Sequence, residues 1–344
     1  MYTCRYSSGL LPPVSSFQRL QPLFRPRPLR LSFFPQPVCY YIVTSIKMSN
    51  DTRDQKIQEV ISSTPDEAQQ IDQIAKIRGY FGAPNDKTAT YHSLVQDYVA
   101  GTSDLSTTTQ KLFSTIQDAN TSQDSKSVFF MNLWYTLLHT AKRTPFRDTP
   151  RHTKLVDLAK AIKDPQISGA SPSDTHELSM WSREVMNDAP GGASGYSAPE
   201  IHAWTNVNYF LALLKGAGLA SYIFDIWAMR EALEREHFDD GPHDGPNRAT
   251  AAQKYDAWVP AAAVWVFGEG DKLYGLEEDL TPKSRNQGNP AKGGELWKGG
   301  AEYSKERWAF WKKRFGEVGG MGEVSEETRG VAKEAVVAME EVEK

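Results

Sequence analysis

Between Phe129 and Trp311 this chain repeatedly sets a tryptophan on the apolar stripe of a predicted helix: Trp134, Trp181, Trp204, Trp227, Trp258, Trp265, Trp308 and Trp311. A buried indole removes ~150–250 Å² from water, so each one marks a place where helices must meet. No stretch alternates with period two, and the period near four recurs without a fixed repeat length. The pattern predicts an all-α chain, an irregular multi-helix bundle of about ten helices with no β-sheet. Its expected anchors are Trp134, Trp204, Trp227, Trp308 and Trp311, together with Arg230 one turn from Trp227.

The punctuation agrees with helices. Thr64-Pro65-Asp66-Glu67 and Ser197-Ala198-Pro199-Glu200 read as capping boxes with proline at the first helical position. Ser127–Lys142 is apolar on almost every face, which predicts a helix buried at the centre of the core. The segments opened by Ser197 and closing at Leu233 read as an antiparallel hairpin, with Arg230–Glu234 and Glu231–Arg235 as exposed i,i+4 pairs. Pro260 predicts a break between Ala249–Ala257 and Ala261–Phe267. The Gly-, Pro- and Asn-rich stretch 281–300 is expected to be a long flexible loop.

Residues 1–47 have a different chemistry. They hold no acid, six basic residues and seven prolines. Three readings stay open: an upstream extension from a start codon placed too early (preferred), a disordered tail, and a mitochondrial transit peptide, against which Pro22, Pro26, Pro28, Pro35 and Pro37 argue by breaking a helix. Residues 48–344 are expected to form a single all-α domain. Without the leader, 33 basic residues face 43 acidic ones, a formal charge of −10. That disfavours nucleic acid as a partner. Both cysteines, Cys4 and Cys39, leave with the leader, so the body has no disulfide, thiolate metal site or cysteine nucleophile. No apolar run reaches the ~18–20 residues of a membrane helix. A cytoplasmic location is expected, or a nuclear one, and a mitochondrial one only if the leader is a true transit peptide.

Four stretches carry a resemblance. They are Leu133-Trp134 through Ala141-Lys142 with Lys154-Leu155-Val156, then Trp204-Thr205-Asn206-Val207-Asn208-Tyr209-Phe210-Leu211, then Ile226-Trp227-Ala228-Met229-Arg230-Glu231-Ala232-Leu233-Glu234, and finally Ser304-Lys305-Glu306-Arg307-Trp308-Ala309-Phe310-Trp311. Their order and spacing resemble a fungal family known as domain of unknown function 3632, over roughly Pro65 to Phe315. The resemblance implies a helical fold and brings no assigned activity.

The chain lacks a P-loop, a strand–GxGxxG–helix, HExxH, an EF-hand loop and GxSxG, and no cofactor is expected. Three local features offer chemistry. Lys142–Lys154 concentrates cations at a helix start, and Arg143, Arg147, Arg151 and His152 would form an anion site there; the alternative is a surface linker paired with acids elsewhere. His237, Asp239, Asp240 and His243, around a Gly-Pro turn, would offer a mixed nitrogen and oxygen set to a divalent metal, or simply form a solvated loop. Lys305–Phe315 interleaves cations with aromatics, but at helical spacing this reads as a core helix with a wet side, and Arg307 packed over Trp204 or Trp227 is an equally open alternative. His139 and His202 are polar residues on otherwise apolar helices. The preferred function is a non-catalytic interaction or scaffold module that binds a protein partner or a second copy. The rival is an enzyme or binding protein for a phosphorylated or other anionic small molecule in an inter-helix pocket.

Overall fold

A computed structural model describes residues 50–344 apart from 81, 118–122, 170–171, 242–246, 285 and 287. Among these, thirteen α-helices follow one another: α1 Asn50–Ser63, α2 Glu67–Arg78, α3 Ala89–Ala100, α4 Leu105–Gln117, α5 Gln123–Lys142, α6 Thr149–Lys163, α7 Pro165–Ser168, α8 Pro172–Val185, α9 Ala198–Gly216, α10 Phe224–Leu233, α11 Ala251–Gly275, α12 Lys305–Val318 and α13 Glu326–Val342. The chain is mostly all-α, as its aromatic spacing requires. The count exceeds ten because α1 has only a narrow apolar stripe (Ile57, Val60, Ile61) and α7 is a four-residue turn behind Pro165. A two-stranded antiparallel pair also exists, β1 Glu278–Asp279 with β2 Glu302–Tyr303. Two residues per strand are too few to show a period in the sequence.

The centre of the core is the α9–α11 contact rather than α5, which flanks it with α3 and α8. α9 starts at the expected box, where Ser197 and Glu200 satisfy each other's ends of the first turn. From Ala203 to Ala212 every residue of α9 is buried. α11 runs straight through Pro260; its one non-helical residue is Glu269, at φ −149° and ψ 21°. The bend falls there because Gly268 lies against α9, where an added Cβ would stand 2.7 Å from the Ala212 Cβ. Two helices approach this closely only without a side chain between them. The expected α9–α10 hairpin is therefore replaced: α9 takes α11 as its main partner, and α10 packs on α11 and α12.

Trp134, Trp204, Trp265, Trp308 and Trp311 are buried, while Trp227 is partly covered and donates its indole N–H to the Pro290 carbonyl at 2.9 Å. The loop after β1 is tied down at that point. Arg230 donates to the carbonyls of Pro290 and Lys292 instead of pairing with Glu234. Glu234 turns inward, where its carboxylate receives Arg307 Nε at 2.7 Å, Arg307 Nη2 at 3.0 Å, the Trp311 indole at 2.7 Å and the Gly294 amide at 2.9 Å. Arg307 and Glu234 are both 0% exposed. The guanidinium lies 5.4 Å from the Trp311 ring and 5.8 Å from the Trp297 ring, not over Trp204 or Trp227. A buried ion pair needs its remaining donors matched, and Arg307 Nη1 meets that need on the carbonyls of Ala291 and Glu302. This pair joins α10, the loop and α12.

Candidate functional site

α2 begins two residues later than its sequence suggests. Thr64 closes α1, its amide donating to the Val60 carbonyl at 3.0 Å, and Asp66 is the cap of α2, accepting the Gln69 amide at 2.8 Å. Glu67 is thereby the first helical residue instead of the closing member of a capping box. At the other end of α2, Arg78 donates Nε to Glu200 at 2.8 Å, both side chains almost fully buried, which fixes α2 on the start of α9. Glu200 also accepts the Gly195 amide and the Ser197 hydroxyl; burial opposes its charge, but Arg78 and these donors hold its carboxyl below the usual range.

The α2–α9 join forms one wall of a cleft of about 360 Å³. Glu67 comes from α2, Ala198, Ile201, His202, Thr205 and Asn206 from α9, Asp256 and Pro260 from α11, Ser325, Glu327 and Thr328 from the start of α13, and Pro145, Phe146 and Arg147 from the α5–α6 loop. Its floor is apolar. The uncharged polar groups around it are used inside the fold: Asn206 accepts the Phe146 amide at 2.8 Å and donates to the Lys142 carbonyl at 2.9 Å. Thr205 donates to Ile201, and Ser325 caps α13 while its own amide is held by Asp256 at 3.0 Å. Pro260 has no N–H, so the Asp256 carbonyl one turn earlier receives no donor from it.

What the cleft presents is mainly carboxylate. His202 stands between two of them, Nδ1 at 2.6 Å from Glu67 and Nε2 at 3.5 Å from Glu327. The hydrogen bond to Glu67 raises the pKa of the imidazole; burial works against this, and the charges of Glu67 and Glu327 add to it. Both carboxylates remain accessible, at 41% and 60% side-chain exposure. Arg147, the other cation of the lining, is held bidentately by Glu334 of α13 at 3.0 Å on both arms and lies over the Phe146 ring at 4.9 Å.

The basic linker does not converge. Arg143 pairs with Asp72 at 3.2 Å, Arg147 with Glu334, and Arg151 with Asp148 at 3.3 Å. His152 is buried, with Nε2 at 3.0 Å from the Thr144 carbonyl, and burial lowers its pKa to about 4. Of the four, only Arg147 reaches the cleft. In the acidic loop, Asp239 accepts the Ala251 amide at 2.7 Å, and Asp240 accepts the Ala249 amide at 2.9 Å and pairs with Lys254 at 2.5 Å, so both brace the start of α11. His237 stacks edge-on against Tyr255, and burial lowers its pKa to about 4. His243 lies outside the described residues. Among the described residues no group of three or more His, Cys, Asp or Glu is arranged to hold a metal ion, and no helix is long and apolar enough to cross a membrane.

A second ionisable cluster, invisible in the sequence, sits in the core. Lys215 at the end of α9 lies 3.0 Å from Asp225 of α10 and 3.3 Å from Glu269 of α11, with the Tyr303 hydroxyl of β2 at 3.3 Å. Two carboxylates share one ammonium. Burial and the neighbouring Asp225 push the Glu269 carboxyl up to about 8, against the opposing pull of Lys215 and Lys272. Burial and Asp225 likewise push the Tyr303 hydroxyl far up.

A family model described as a protein of unknown function, DUF3632, matches residues 134–315. The match takes in Arg147, His202 and Asp256 of the cleft, whereas Glu67, Glu327 and Glu334 fall outside it. No curated protein and no solved structure matches the chain. Because the match covers just over half of its length, the chain belongs to the DUF3632 family, whose function is unassigned.

Proposed function

We propose that the protein is a non-catalytic recognition module that binds a segment of a partner protein in the cleft between α2, α9, α11 and α13. The observation that carries this reading is the division of labour among its ionisable groups. Glu269, Tyr303 and His152, whose pKa values are strongly displaced, lie buried in the core and outside the cleft. The cleft, by contrast, joins an apolar floor to accessible charges and holds no nucleophile beside a base. An apolar pocket with a few convergent polar groups is the usual form of a binding site. An anionic ligand finds less support, since Arg143, Arg147 and Arg151 each already sit on a carboxylate.

A photo-crosslinking amino acid at Ile201, in the cleft, tests this against one at Val337, which is exposed outside it. Adducts specific to Ile201 are expected, competed by the wild-type chain and not by an Ile201→Arg chain. Equal adducts from both positions, or none from Ile201, would refute the reading.

A further inference from the structure

We propose that the cleft receives an arginine side chain of the partner, and that the proton on His202 competes with it for Glu67 and Glu327. This rests on the cleft being the binding site, as proposed above. With Asn206, Thr205, Ser325 and Thr328 committed inside the fold, Asp256 bonded to the Ser325 amide and Arg147 held by Glu334, the accessible carboxylates facing a guest are Glu67 and Glu327. What now spans them is a flat nitrogen ring, His202, with one nitrogen toward each. A guanidinium is also planar, carries five donors in a fixed fork and suits paired carboxylates better than an ammonium does. The fold shows the same chemistry a short way off, where Arg147 lies over Phe146 and takes Glu334 with both arms.

The gating follows from charge. The charged groups sharing the cleft with His202 are Glu67 of α2, Glu327 of α13, Asp256 of α11 and Arg147 of the α5–α6 loop, and Arg147 is engaged by Glu334. When His202 carries its proton it is the counter-ion of Glu67 and Glu327, and an incoming cation meets a like charge. When it loses the proton, both carboxylates are free to take the guest. The hydrogen bond to Glu67 keeps that proton on the ring above the ordinary histidine value, so the change falls on the alkaline side of that value. Binding is therefore weak in acid and strengthens as pH rises.

The test is calorimetric titration of the full chain with blocked tri-arginine at pH 5.5 and 8.0 and constant ionic strength. Affinity is expected to rise about fivefold with pH, the effect of one like charge removed near the solvent boundary. Tri-lysine should bind more weakly than tri-arginine, and tri-glutamate not at all. Glu67→Gln and Glu327→Gln should each weaken binding at pH 8.0. His202→Gln should bind at both pH values as the wild type does at pH 8.0. The ring of His202, followed by NMR, should titrate lower in the presence of tri-arginine, because the competition is reciprocal. A wild-type affinity that ignores pH, a His202→Gln variant that keeps the pH profile, or equal binding to an Ile201→Arg chain would overturn the inference. If tri-arginine fails while Ile201 still yields specific adducts, this inference falls and the cleft remains the binding site. If both fail, the functional reading falls with it.

Discussion

Glu269 offers the most direct test of the core electrostatics. It sits at the bend of α11 with a side chain 2% exposed, facing Lys215 and the second carboxylate Asp225. Its carboxyl titrates near 8 in the fold instead of 4.5. Since one pH unit is worth about 1.4 kcal/mol, ionising it inside the protein costs roughly 5 kcal/mol. Between pH 4.5 and 8 the unfolded chain has released this proton while the folded chain keeps it, so stability falls as pH rises through that window. Glu269→Gln keeps the shape and removes the titration. Urea melts of both chains, taken from pH 4.5 to 9, should show the variant gaining on the wild type by up to about 5 kcal/mol and levelling off above pH 8. Titrating groups outside the Lys215, Asp225 and Glu269 cluster cancel in the difference. A gap that stays constant with pH would refute the reasoning, and a variant that falls behind as pH rises would show that Lys215 favours the ionised carboxylate.

Other outcomes follow from the same geometry. Arg307→Met should cost about 3–5 kcal/mol in urea melts, because it strands the Glu234 carboxylate in the core; an additional Glu234→Leu should recover much of that loss. Gly268→Val should destabilise by about 1–3 kcal/mol or more through overpacking against Ala212, whereas substitution at Gly316, which has open space around it, should cost little. His152 is held neutral down to about pH 4, so the wild type loses stability as pH falls from 6.5 toward 4. His152→Gln should flatten that acid limb in thermal melts, and an unchanged limb would count against the assignment. His202 has the opposite sign. Its raised pKa adds stability present below pH 6.5 and lost as pH climbs through its folded value, and His202→Gln should remove that slope, a small one because the ring is partly solvated.

Much of the helical framework was legible in the residues. The tryptophan spacing and the Ser197–Glu200 box have local causes, and α9 starts where that box places it. The exceptions are instructive. Thr64-Pro65-Asp66-Glu67 satisfies the capping-box pattern, yet Asp66 caps α2 because Thr64 is already closing α1. Two local rules compete there, and the contact of Glu67 with His202, 135 residues away, lies on the winning side. Pro260 costs α11 one hydrogen bond, but its buried surroundings keep the helix continuous, and the bend falls at Glu269 beside Gly268. Lys142–Lys154 looked like an anion site because its cations are close in sequence; their partners Asp72 and Glu334 are not.

The amino-acid sequence by itself determined that the chain is helical, that Trp134, Trp204, Trp308 and Trp311 anchor its core, and that residues 48–344 are acidic and free of cysteine. Those properties arise from periodicity, local capping and composition, which act over a turn or two of chain. Tertiary structure alone decided which ionisable groups meet: Arg307 with Glu234, Lys215 with Asp225 and Glu269, and His202 with Glu67 and Glu327. Each of those meetings depends on the relative placement of whole helices. A charge finds its partner through distance and desolvation in space, and neither quantity is written in the spacing of residues along the chain.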